Sequence, residues 1–217
     1  MFRYTFIICG TTIIGNKYTY YGESDMSQAQ ILNQKDYKRL LAATKMTRHA
    51  DRNRLAVVLS FGAGLRAKEI ASVTVDNVID ASGRVKSQFE LDSSQTKGRK
   101  SRTVFLSDAV MKEIESFMCK NEWMRKERHG ALLRSQKLGA FTSQSMQNLF
   151  KHLFKMIGME GCSSHSGRRS LLTNLNNNGI NLRTIQKIAG HAHINTTAMY
   201  LSVTDTQLHN AVNSVSY

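Results

Sequence analysis

Arginines, lysines, histidines and one tyrosine fall in four short clusters whose side chains suit an anionic substrate. Gly64-Leu65-Arg66-Ala67-Lys68-Glu69-Ile70 sets an arginine at a helix start, just after a glycine turn. Glu69, three residues on, shares a helix face with Arg66 and can hold it. Thr96-Lys97-Gly98-Arg99-Lys100-Ser101-Arg102 is a basic turn between strand-like segments. His165-Ser166-Gly167-Arg168-Arg169 sets His165 and Arg168 one helical turn apart. Gly190-His191 precedes Tyr200, with Thr196-Thr197 between. An unbroken helix from His191 to Tyr200 would place them on opposite faces. They meet only if the chain turns, and His193-Ile194-Asn195 offers the place.

The elements that must carry these clusters are mainly helical. Asn33 can cap a helix through Tyr37, Leu40 and Leu41, with Asp36 at its third position. Arg54 to Gly64 reads as a buried helix and Ala67 to Ser72 as a short one. Between residues 73 and 106, Val73, Val75, Val78, Ile79, Val85, Phe89, Leu91, Val104 and Leu106 punctuate polar residues, with Gly83 and Gly98 at turns. That pattern predicts a small antiparallel sheet. Helical periodicity returns from Asp108 to about Arg125, with Val110, Ile114, Phe117 and Met118 on one face. Ser143 to Ile157, Ser166 to Asn177 (ended by Gly179), Leu182 to Ala189, and Thr196 to Leu201 (capped by Asn195) follow as helices. Asp205 to Val212 reads as a last amphipathic helix. The expected class is therefore α+β, mainly α-helical, with a small antiparallel β-sheet.

Composition narrows the partner. Thirty Lys and Arg against 16 Asp and Glu give a formal charge of +14, which points to a polyanion, nucleic acid first. Ribosomal and membrane-surface proteins share such a balance, so charge alone does not decide. Cys9, Cys119 and Cys162 match no zinc spacing, and their odd number argues against a secreted disulfide framework. Reduced thiols and a cytoplasmic location are expected. Phe2 to Gly22 is rich in aromatic and β-branched residues, and its apolar stretch is too short to span a bilayer. Residues 1–25 read as an atypical leader, either a functional segment such as a signal peptide or a stretch preceding a natural start at Met26, the latter favoured.

Taken in order, Arg66, Lys97, His165-x-x-Arg168, Gly190-His191 and Tyr200 resemble the tyrosine recombinase (phage integrase) family, over about residues 30 to 205. Each piece alone occurs by chance. Together, at family-like spacing, they are specific, and Gly-His-(x)8-Tyr with Thr196-Thr197 is the strongest piece. The resemblance implies a catalytic set of Arg66, Lys97, His165, Arg168, His191 and Tyr200, supported by Glu69. It implies the family's catalytic-domain fold, with double-stranded DNA as partner, a tetramer assembled on it, an accessory DNA-binding protein, and neither metal nor cofactor.

The implied roles fit the chemistry. A phosphodiester in transfer gathers negative charge on its non-bridging oxygens, which Arg66 and Arg168 would clamp with forked, permanently charged donors. Tyr200, with an ordinary pKa of ~10, needs help to attack, from the arginine field and from His165 as base. Lys97 would protonate the leaving 5′ oxygen, and His191 would hydrogen-bond the phosphate. Arg99, Lys100 and Arg102 read as phosphate-backbone contacts. Arg125 to Lys137, with Lys126, Arg128 and Arg134, is either a DNA-facing loop or a solvated face.

Three departures from the family pattern stand out. Only about 30 to 50 residues precede the Arg66 helix, too few for the core-binding domain most members carry. Residues 26–217 are therefore expected to be a catalytic domain alone, a half-clamp that binds DNA more weakly. Gly167 stands where leucine is usual, which would remove an apolar anchor and loosen its helix. Thr103-Val104-Phe105-Leu106 lacks the family's proline. The tail after Tyr200 is short; Leu208 and Val212 either dock on a neighbouring protomer or pack on their own domain. The expected activity is site-specific recombination, integrating or excising a mobile element or virus, with inversion second. Its rivals are a type IB topoisomerase-like relaxase, a DNA-binding regulator without catalysis, and an RNA-binding structural protein. The last is poorly served by an aromatic content of 8%.

Overall fold

The computed structural model describes residues 29–96 and 100–199, the strand backbones at 7–8, 11–13 and 18–20, and positions 208, 209, 212 and 213. Strands β1 (Ile7–Ile8), β2 (Thr11–Ile13) and β3 (Tyr18–Tyr20) pair antiparallel in sequence order. Helices α1 (Gln34–Thr44), α2 (Ala50–Gly62), α3 (Ala67–Ser72) and α4 (Val75–Val78) come next. The hairpin of β4 (Gln88–Leu91) and β5 (Arg102–Phe105) follows. Then come α5 (Asp108–Cys119), α6 (Trp123–Lys126), α7 (Ser143–Met156), α8 (Ser166–Asn177), α9 (Leu182–Ala189) and α10 (Ile194–Ala198).

Helix α2 is the axis of the core. Leu55, Ala56, Val57 and Leu59 are each at most 1% exposed. A helix apolar on every side must be enclosed, and α1, α3, α5 and α8 pack around it. Helix α1 opens as expected, with Asn33 accepting the Asp36 N–H at 2.9 Å. The contact between α2 and α8 corrects the expectation for Gly167. A Cβ there would lie 2.3 Å from Ser60 Oγ and 2.7 Å from Phe61, so glycine is what lets the two helices approach. The position does not loosen α8; it fits α8 against the core. A second, smaller apolar cluster of Leu172, Ile185 and Ala189 joins α8 to α9.

The segment 73–106 is less sheet-like than its apolar spacing predicts. Among its described residues only β4 and β5 form a ladder, antiparallel, with Phe89 opposite Val104 and Leu91 opposite Arg102. Val75 and Val78 are buried on the helical turn α4 instead. Thr74 Oγ1 accepts the Asn77 N–H while Asn77 Oδ1 accepts the Thr74 N–H, and this reciprocal capping closes a turn that period-two counting overlooks. Asp108 to Arg125 likewise divides into α5 and α6. Asn121 marks the break, donating to the Phe117 carbonyl and accepting from Trp123 Nε1.

Two arginines of the basic stretch 125–137 are structural. Arg128 pairs with Asp76 and donates to the carbonyls of Ile79 and Asp80. Arg134 pairs with Glu127 and lies over the Trp123 ring, 3.5 Å from its centroid. Leu208 and Val212 are 56% and 74% exposed, so they do not pack into this chain's core. No helix among the described residues is long and apolar enough to cross a membrane.

Candidate active site

A cleft of about 490 Å³ opens beside the β4–β5 hairpin, and Arg66, Thr96, Lys100, Arg102, His191 and Thr196 are among the residues that line it. Arg66 arrives there because α2 stops at a glycine turn. Gly64 adopts φ +63°, in the left-handed region glycine favours, and Leu65 N–H donates back to the Leu59 carbonyl. The chain then leaves α2 extended, and Arg66 becomes the residue before α3. Glu69, one helical turn on, accepts the Arg66 backbone N–H at 2.8 Å and its guanidinium at 2.9 Å.

Glu69 is the junction of the site. It is fully buried, and each carboxylate oxygen accepts from Arg66 and from Arg102. Burial opposes its ionisation. The hydrogen bonds and charge of Arg102, with the backbone N–H and charge of Arg66, more than offset that and hold the carboxyl below its ordinary range. This corrects the reading of Arg102 as a phosphate-backbone contact. Strand β5 alternates inward and outward, and Arg102 points inward with Val104. Its Nε and one terminal nitrogen hold Glu69, and the other donates to the Ile188 carbonyl at the end of α9. That alternation was the signal in the sequence: Arg102, Val104 and Leu106 share one face.

Helices α8 and α9 bring the second arginine and the histidine. Arg168, buried on α8, donates to the carbonyls of Gly64 and Ala189, tying the α2–α3 turn to the end of α9. Its terminal nitrogen also lies 3.1 Å from His191 Nε2. Helix α9 ends at Gly190, left-handed at φ +61°, where a Cβ would come within 2.5 Å of Arg102 Cδ. The turn delivers His191 into the cleft, and Gln186 Nε2 donates to the His191 carbonyl at 3.0 Å. Burial, then Arg168, Arg66 and Arg102, press the His191 pKa down to about 4 against the weaker pull of Glu69. The imidazole is neutral at pH 7. Around His191 stand three guanidiniums and one carboxylate, so the cleft carries surplus positive charge and fixed N–H donors, which suits an anion held by its oxygens.

Lys97, Arg99 and Tyr200 lie outside the described residues. Their neighbours are fixed. Thr96 is buried, its hydroxyl donates to the Lys100 carbonyl at 2.8 Å, and its own carbonyl accepts from Lys68 Nζ at 2.9 Å. Lys100 is exposed at the cleft. The turn expected between His191 and Tyr200 is present, but α10 starts after His193, two residues before the expected cap at Asn195. It folds back so that Thr197 Oγ1 sits 2.9 Å from His191 Nδ1. Sequence reasoning gave Arg102, Thr96, Gln186 and Thr197 no such parts. His165 is the residue before α8; it is exposed, and its side chain does not cap the helix. Among the described residues no group of His, Cys, Asp and Glu is placed to hold a metal ion.

The model of the phage integrase family matches residues 30–207. Tyrosine recombinase XerA of Thermococcus kodakarensis is 30% identical over 85% of this chain and 62% of its own length. Tyrosine recombinase XerC of Caldanaerobacter subterraneus subsp. tengcongensis is 29% identical over 75% of this chain. The chain spans only 44% of that relative's length. A crystal structure of XerA recombinase superposes with a TM-score of 0.70 at 23% identity, covering 88% of this chain and 67% of that one. The fold of the described residues is therefore that of these recombinases.

Proposed function

Because the chain belongs to the phage integrase family, we propose that it acts on double-stranded DNA as a site-specific recombinase, cutting and rejoining strands through a 3′-phosphotyrosyl intermediate. One observation carries this reading: Arg66, Arg168 and His191, supplied by separate parts of the chain, converge on one cationic cleft around Glu69. Arg66 and Arg168 neutralise the non-bridging oxygens, fixed donors that need no reorganisation as charge develops. The Tyr200 oxygen attacks phosphorus, its proton passing to a base such as His165. The bond to the 5′ oxygen breaks, and Lys97 protonates that oxygen. Arg99 and Lys100 contact the phosphate backbone, while Arg102 holds the site from beneath. The phosphotyrosyl bond conserves the energy of the cut, so rejoining to a new 5′ hydroxyl requires no nucleotide. Residues 26–217 supply the catalytic part, acting as a tetramer on paired sites with an accessory DNA-binding protein. The reaction serves integration or excision of a mobile element or virus.

A nicked suicide substrate tests this. The protein and its Tyr200→Phe variant are mixed, without metal, with DNA carrying candidate attachment sites from the flanking genome. A covalent protein–DNA adduct seen on a denaturing gel and lost in the variant supports the reading. Tight, specific binding with no adduct overturns it in favour of a non-catalytic regulator.

A further inference from the structure

The contacts of His191 decide which of its two nitrogens carries hydrogen. Nε2 lies 3.1 Å from the Arg168 terminal nitrogen, and Nδ1 lies 2.9 Å from Thr197 Oγ1. A guanidinium has donors and no acceptor. A hydrogen on Nε2 would point donor at donor, so Nε2 must present its lone pair. In a neutral ring the hydrogen is then on Nδ1, and the Thr197 hydroxyl oxygen is positioned to accept it. The ring is neutral at pH 7 because it is buried among Arg168, Arg66 and Arg102. Thr197 is itself fully buried on α10, so water does not compete for this bond.

We propose that Thr197 is a positioning residue: Arg168 sets the Nδ1–H tautomer of His191, and Thr197, by accepting that hydrogen, holds the ring with Nε2 turned to the Arg168 guanidinium. This rests on the recombinase reading only for its consequence in catalysis. Arg168 already spans two carbonyls, Gly64 and Ala189, from two segments. Without the Thr197 acceptor, the buried Nδ1–H is left without its partner and the ring is free to turn, so that Nε2 no longer faces the Arg168 N–H. The guanidinium aimed at the phosphate then loses one of its fixed contacts. The same bond ties α10 to the α9–α10 turn, so ring orientation and helix position are set together.

The test reads the tautomer directly. Nitrogen-15 spectra of the histidine side chains are recorded on the full-length protein at pH 7, with the His191 signals, one set among seven histidines, assigned by their loss in His191→Gln. The expected result is Nδ1 protonated and Nε2 bare in the wild type and in Thr197→Ser, while in Thr197→Val the Nδ1 signal moves and the Nε2 signal shifts towards that of a nitrogen that accepts no hydrogen bond. An Nε2–H ring in the wild type, or Nδ1 and Nε2 signals unchanged in folded Thr197→Val, overturns the proposal. Thr197→Ala provides a second comparison, and if neither variant folds the wild-type tautomer decides alone. On nicked DNA, Thr197→Val should cleave about tenfold more slowly at unchanged affinity, the scale of one lost hydrogen bond, and Thr197→Ser should restore the rate. Wild-type cleavage rates in Thr197→Val overturn the positioning role. No adduct from the wild type overturns the recombinase reading and leaves the tautomer result standing.

Discussion

Arg102 meets Glu69 at two points, its Nε 3.2 Å from one carboxylate oxygen and its terminal nitrogen 2.8 Å from the other. The pair is nearly sealed from solvent, with side chains 7% and 0% exposed. It joins the hairpin strand β5 to the start of α3, and through the Ile188 carbonyl to the end of α9. An arginine in a run of cations thus holds three segments of the cleft together.

Arg102→Ala should therefore behave as a loss of buried structure. Breaking one partner of a buried ion pair costs about 3–5 kcal/mol, and denaturant unfolding should show a lower midpoint of that size. Removing a phosphate contact would instead reduce the salt slope of DNA binding by about 0.9 and leave stability alone. The slope of log affinity against log salt should be that of the wild type for Arg102→Ala. For Lys100→Ala it should be shallower, at unchanged stability.

Gly190 and Arg102 should be energetically coupled. A Cβ at residue 190 would press on Arg102 Cδ at 2.5 Å, at a backbone φ of +61°. The left-handed conformation alone costs a non-glycine residue about 1–2 kcal/mol, and displacing Arg102 adds to it. Gly190→Ala should destabilise the protein and slow DNA cleavage. In a double-mutant cycle with Arg102→Ala the losses should sum to less than the separate effects, because the clash vanishes with the arginine. Strict additivity in urea melts would show that the contact is not felt.

Gly167→Leu, which restores the residue type usual in the family, should harm this protein. The new side chain would enter the contact with Ser60 and Phe61, where even a Cβ lies at 2.3 and 2.7 Å. Overpacking of this kind costs about 1–3 kcal/mol or more. Thermal unfolding should show a lower Tm for Gly167→Leu and a smaller loss for Gly167→Ala. A leucine variant as stable as the wild type would mean that α2 and α8 are not in contact at this point.

Acid should weaken the fold through His191 before it does so through Glu69. The His191 pKa is lowered from 6.5 to about 4 in the folded chain. Between those values the unfolded chain binds the proton more readily, so stability is full above pH 6.5 and falls as pH drops towards 4. Glu69 starts from 4.5 and is held lower, so its contribution is lost only at more acid pH. His49 is also lowered, by burial and then by Arg52 and Arg48, so it too weakens the fold as pH falls below 6.5. The difference between wild type and His191→Gln isolates one histidine. Urea unfolding from pH 7 to pH 5 should show a steeper decline in the wild type than in His191→Gln.

Local rules carried much of the fold. The Asn33 cap, the glycine turn before Arg66, the whole of α3, and the spans of α7, α8 and α9 follow from capping residues and helical spacing within a few positions. The tendency failed where two local patterns share one apolar spacing. Val75 and Val78 fit a strand by alternation, and the Thr74–Asn77 capping pair made them a turn of helix.

By itself the sequence determined the family, through the order and spacing of Arg66, Lys97, His165, Arg168, His191 and Tyr200, a pattern legible before anything is known of what positions those side chains. It also determined that Arg66 and Glu69 share a face, since both lie on one helical turn. The tertiary structure alone decided the partners that come from elsewhere in the chain. Arg102 belongs to Glu69 because β5 packs across α3, and Arg168 reaches Gly64 and Ala189 because α8 lies against both segments. Gly167 is needed because α2 passes so close. A charge reads as solvated or buried only once the surfaces around it are known, and those surfaces come from residues that no local spacing connects.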